Sequence, residues 1–129
     1  MAERGYAPIT TTSLWKATSL SAGNAATSDP VDLRIIAKNG MFSLFSSVVA
    51  GTAGTVGTTA FTYVGCATRD GNYISPSAAV AIGTRGTGST SNLNSFEPEL
   101  MPFMKIIATQ TGSGTAGRDS KITADLITQ

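Results

Sequence analysis

Apolar and polar positions alternate along much of the chain with a period of two, the spacing at which side chains share one face of a β-strand. Val31-Asp32-Leu33-Arg34-Ile35 is the cleanest case, strictly apolar and charged in turn, and predicts a half-buried strand. Met41 to Val49 repeats the pattern. Phe42, Leu44, Ser46 and Val48 fall on one face, and Met41, Ser43, Phe45 and Ser47 on a wetter one. Ile122 to Leu126 alternates again. Thr10–Leu20, Ala60–Thr68, Tyr73-Ile74, Ala78–Ile82 and Leu100–Thr109 add strand segments, the first of them expected at a sheet edge. Turn clusters separate them: Ser21–Pro30, the hairpin signal Lys38-Asn39-Gly40, Ala50–Thr59, Arg69-Asp70-Gly71-Asn72, Thr84–Ser91 and Thr111–Gly117. No long stretch carries a helical period. The pattern predicts an all-β, single-domain β-sandwich, jelly-roll-like, of about eight short antiparallel strands. Met1 to Thr12 shows no period and is expected as an extended N-terminal arm, with the sandwich domain over 13–129.

Composition narrows the picture. Ser, Thr, Ala and Gly fill 64 of the 129 positions, and charged residues only 13%, against about 25% in an ordinary soluble domain. Leu, Ile, Val and Phe total 27 residues, so the core is expected to be thin. The net charge of +1 argues against disorder, which usually accompanies high net charge. The nine Lys and Arg are scattered, with no basic stripe for nucleic acid. No apolar run approaches the roughly 20 residues that span a bilayer. Met1-Ala2-Glu3-Arg4-Gly5 lacks the apolar stretch of a leader, so synthesis in a reducing cytoplasm is expected.

Candidate chemistry is sparse. The chain has no histidine, and therefore lacks the usual general base and the commonest metal ligand. Its one cysteine, Cys66, sits in an apolar strand and reads as a small buried hydrophobe. Asp29, Asp32, Asp70 and Asp119 match no calcium-loop spacing. Glu97 and Glu99 flank Pro98 with no cleft partner and read as surface charges. Gly51, Gly54 and Gly57 lack the Lys-Ser/Thr ending of a phosphate loop. Nothing in the spacing of Tyr6, Trp15, Tyr63 and Tyr73 groups them into a sugar platform. No enzymatic activity, cofactor, metal or small-molecule substrate is expected. What remains is low-charge β-surface, an aggregation hazard in a lone protein and an asset in an ordered assembly.

The order of segments resembles the small β-sandwich structural proteins of tailed bacteriophages. The pieces are the Val31–Arg34 strand, the Gly40–Leu44 strand, the Tyr63 strand leading into Arg69-Asp70-Gly71-Asn72-Tyr73, the strand Pro102-Phe103-Met104-Lys105-Ile106, and the alternating final strand. Arg69 departs from the pattern, standing where relatives often carry a small polar residue. The resemblance is nearest to head decoration, or cement, proteins. It implies a virion protein on the capsid surface, with the major capsid protein as partner and a homotrimer as the assembly. It further implies an arm anchored by Tyr6, Pro8 and Ile9. An oligomer interface is expected around Phe42 to Val48 or around Phe103 to Ile107, with Phe42, Leu44, Phe103 and Ile107 as candidate contacts. Two other roles stay open: a receptor- or carbohydrate-binding module of a tail or fibre, and a tail-tube or head–tail joining subunit.

Overall fold

In the computed structural model, residues 9–21, 23–34, 42–50, 59–76, 81–85, 90–99, 101–110 and 119–128 are described. They form nine strands: β1 (Thr10–Ser21), β2 (Ala25–Thr27), β3 (Val31–Asp32), β4 (Phe42–Ala50), β5 (Thr59–Cys66), β6 (Ala81–Arg85), β7 (Thr90–Phe96), β8 (Phe103–Gln110) and β9 (Asp119–Thr128). All strand pairings are antiparallel. One sheet runs β1-β9-β4-β7. The other runs β2-β8-β5-β6, with β3 also on β8. Since β2 pairs with Thr109–Ile107 and β3 with Met104–Phe103, the two act as one interrupted strand along β8. The result is an eight-strand jelly roll, as the sequence pattern predicts.

Parity decides what is buried. On β4, Phe42, Leu44, Ser46 and Val48 point into the sandwich, as do Ile122, Ala124 and Leu126 on the neighbouring β9. Phe61 and Tyr63 of β5 and Met104, Ile106 and Ala108 of β8 close the core from the other sheet. Aromatic contacts bridge the layers: Trp15 to Phe61 at 6.4 Å, and Tyr63 to Phe96 at 5.7 Å between centroids. Phe42 meets Phe96 edge-on within the first sheet at 5.8 Å. Such tilted and edge-on geometries suit the ring quadrupoles.

The structure corrects several expectations. Thr10–Thr12, the end of the expected arm, pair with Leu126–Thr128 and belong to β1, because the final strand offers them a ladder. β1 is otherwise the edge strand anticipated. The turn region Ser21–Pro30 contains β2, which β8 captures by pairing. Thr84–Ser91, read as loop, contributes to both β6 and β7. β7 escapes the period-two reading because its inward parity carries Asn92 and Asn94, with Phe96 its only large inward side chain; pairing with β4 makes it a strand. Tyr73-Ile74 is reduced to a single bridge from Ile74 to Gly65. The Lys38-Asn39-Gly40 hairpin, the loop Gly51–Thr58 and the loop 111–117 lie outside the described residues, as do Ile35 and 78–80.

Candidate functional site

The outer face of the β1-β9-β4-β7 sheet is laid out in cross-strand rows. Ser95 and Ser43 lie side by side with hydroxyls 3.2 Å apart, next to Ile127. In the following row Leu93, Phe45 and Asp125 are aligned, then Ser91, Ser47 and Thr123, then Val49 and Lys121. The Ser91 hydroxyl donates to Ser47 Oγ at 3.2 Å. Thr123 Oγ1 accepts the backbone N–H of Ala17 at 3.0 Å, tying down an irregular stretch of β1. Phe45, Val49 and Leu93 are 42%, 50% and 60% exposed, so apolar side chains stand in a field of hydroxyls. Neither Lys121 nor Asp125 has a salt bridge among the described residues.

The opposite outer face is quieter. Ile107 is half-buried there, level with Thr27 of β2 and Thr62 of β5, and Thr109 is level with Ala25 and Ala60. The Lys105 ammonium lies 4.3 Å from the Tyr73 ring centroid, an attraction of cation and ring quadrupole. The Tyr73 phenol donates to the Arg69 carbonyl at 2.7 Å. Its pKa is raised above the ordinary 10, first by burial and then by Cys66 and Asp70, with Arg69 opposing. Near Phe103, Arg34 donates to Asp32 through Nε at 3.0 Å and Nη2 at 2.8 Å, and its guanidinium lies 4.8 Å from the Phe103 ring centroid. That side-chain pairing is the largest cause holding the Asp32 carboxyl down at about 2.

A cleft of about 430 Å³ opens where β5 ends, between the 65–76 segment and 99–102. Its floor exists because residue 65 is glycine: a Cβ there would overlap the Met101 sulfur. A Cβ at Gly71 would likewise come within 2.7 Å of Cys66 Sγ. Cys66 is partly exposed rather than fully buried, 3.8 Å from the Thr68 hydroxyl. Among the described residues Glu99 is the one carboxylate lining the cleft, and they supply no acid–base pair of carboxylates there. Among the described residues, no group of three His, Cys, Asp or Glu side chains is placed to hold a metal.

The candidate contacts separate sharply. Phe42 and Leu44 are buried in the core, so the expected interface on that face is corrected: their parity is inward. Phe103 is on the outward parity but lies covered beside the Arg34 guanidinium. Of the four, only Ile107 reaches an outer surface. Ile9 is 68% exposed, and Tyr6 and Pro8 lie outside the described residues. Trp15 and Tyr63 are core residues, so the described residues bring no aromatic platform together. Sequence reasoning missed Phe45, Val49, Leu93, Lys121 and Asp125. Their signal was there to be read, since Phe45 is a large apolar side chain on the parity marked as wet.

No family model matches the chain, and no curated protein matches it. Among solved structures, a chain in the structure of infectious bursal disease virus, Gx strain, is similar over 95% of this chain at 12% identity, with a TM-score of 0.43. This chain spans 31% of the length of that one.

Proposed function

We propose that this chain is a non-enzymatic structural subunit of a virion, bound to the outside of a capsid lattice as a decoration or cement protein. The observation that carries this reading is the chemistry of the outer sheet faces. They are broad, rich in Ser, Thr and Ala, and stud their hydroxyls with partly exposed apolar side chains. Among the described residues of the second face, Lys105 is held over Tyr73 and Asp32 is paired with Arg34. Charges engaged in this way lose little further solvation when another protein covers them. The order of strand segments, which resembles phage virion sandwiches, supplies the class of partner: the major capsid protein.

In mechanism, Ile107 with Thr27, Thr62 and Thr109 forms the contact patch on the lattice, and the chain preceding Ile9 reaches a neighbouring subunit. Each copy then bridges several capsid subunits, and rupture of the shell requires many contacts to fail together. Such multivalent engagement gains avidity without any one strong contact.

The test is co-sedimentation with empty shells assembled from the major capsid protein of the same virus. Wild-type chain pellets with the shells, and Ile107→Asp and a chain lacking residues 1–8 each lose at least about tenfold in affinity. Deletion stops at residue 8 because Thr10 begins a paired strand. Wild-type chain that stays in the supernatant would sink the reading, and so would both variants binding as tightly as wild type.

A further inference from the structure

The geometry points to a second copy of this chain as the occupant of the β1-β9-β4-β7 outer face, docked face to face about a two-fold axis that crosses the strands over the Ser47–Thr123 row. This contact uses that face, whereas the proposed lattice contact through Ile107 lies on the other.

The rows carry the argument. Phe45 and Asp125 stand in the row on one side of Ser47–Thr123, and Val49 and Lys121 in the row on the other side. Adjacent same-face rows are about 6.8 Å apart along an antiparallel strand. A two-fold axis across the strands keeps every strand over its own counterpart and reverses its direction. Phe45 then covers Val49 of the second copy, and Asp125 meets Lys121 of the second copy. Symmetry makes each contact occur twice, the self-complementarity an isologous interface requires. Leu93, beside Phe45, extends the apolar contact outward.

The competing symmetry fails on the same residues. An axis along the strands keeps rows in place, and over β9 it sets Asp125 against Asp125 and Lys121 against Lys121. Shifted between β4 and β9, it sets Phe45 against Asp125, and over β4 it sets Leu93 against Asp125. Like-charge juxtaposition costs several kcal/mol, so the pattern selects the crossing axis. The size is adequate too. Four strands about 4.8 Å apart and nine residues at about 3.4 Å each give a flat footprint of roughly 600 Å². The accessible area of its projecting side chains is larger, and a standard interface uses about 800 Å² per partner.

The experiment is sedimentation equilibrium of the full chain at several concentrations, on wild type, Lys121→Asp, Asp125→Lys and the double charge swap. Wild type is expected to be a dimer. Each single variant places like charges at both contacts and raises the dimer Kd at least about tenfold. The double swap restores opposite charges and brings Kd back to within about threefold of wild type, which loss of folding would not do. A second measurement does not rely on the charges. Ser47→Cys in a Cys66→Ser background is expected to cross-link to a covalent dimer with a bis-methanethiosulfonate spanning about 5 Å, because side chains from sheets about 10 Å apart reach towards each other. Thr109→Cys, on the other face, is expected not to cross-link. A wild-type monomer or trimer, a dimer indifferent to the single charge changes, a double swap that stays monomeric, or Ser47→Cys that does not cross-link each overturns the proposal.

Discussion

Ser120 and Gln110 join the two sheets from inside: the Ser120 hydroxyl, on β9, donates to Gln110 Oε1, on β8, at 3.2 Å, with both side chains buried. Thr59 of β5 is level with Gln110 in the adjoining ladder. The three form a polar cluster in a largely apolar interior that also buries the Ser46 hydroxyl. It is incompletely satisfied, since Thr59 Oγ1 and Gln110 Nε2 are buried with no hydrogen-bond partner.

Thr59→Val keeps the shape and removes the orphaned hydroxyl, so it is expected to raise stability by about 1 kcal/mol. Ser120→Ala leaves Gln110 Oε1 without its donor and is expected to cost about 1–2 kcal/mol. Urea unfolding with an unchanged m-value checks both. A destabilised Thr59→Val would show that the hydroxyl has a partner after all.

Leu44 and Phe45 are neighbours of opposite parity, the first fully buried and the second 42% exposed. Leu44→Ala is expected to cost about 2–5 kcal/mol, as cavity-forming core substitutions do. Phe45→Ala is expected to stay within about 0.5 kcal/mol in monomer, although it removes the larger side chain. Thermal unfolding at low protein concentration compares the two without the contribution of self-association.

Ala17 lies at φ 46°, the left-handed region, inside the irregular stretch of β1. That conformation costs a residue with a Cβ about 1–2 kcal/mol, and glycine adopts it freely. Ala17→Gly is therefore expected to stabilise by up to about 1 kcal/mol, after the extra entropy of glycine in the unfolded chain is subtracted. A melting temperature that falls would mean the strain is released elsewhere.

Asp32 titrates at about 2 rather than 3.8, first through the side-chain hydrogen bond from Arg34 and then through the Arg34 backbone N–H. A depressed folded pKa contributes stability above the unfolded value, and that contribution fades as pH falls from about 4 to 2. Carbon-detected NMR titration of Asp32 is expected to show the low midpoint in wild type. In Arg34→Met the midpoint rises toward 3.8, and the stability of the variant varies less between pH 4 and 2 than that of wild type.

Alternation in the sequence determined the class of fold and most of its strands, because a period of two leaves no other way to gather Phe42, Leu44 and Val48 on one side. Composition set the side-chain inventory, with no histidine and 13% charged residues. Tertiary structure decided the rest. β7 becomes a strand only by pairing with β4, and Thr10–Thr12 leave the arm only because β9 receives them. Alternation separates two faces without saying which one meets the opposite sheet, so Phe42 and Leu44 served equally well as interface or as core until the second sheet closed over them. The row that sets Phe45 beside Asp125 and the row that sets Val49 beside Lys121 join residues more than 70 positions apart. Such neighbours are fixed by strand register, a property of the folded sheet that no local pattern contains.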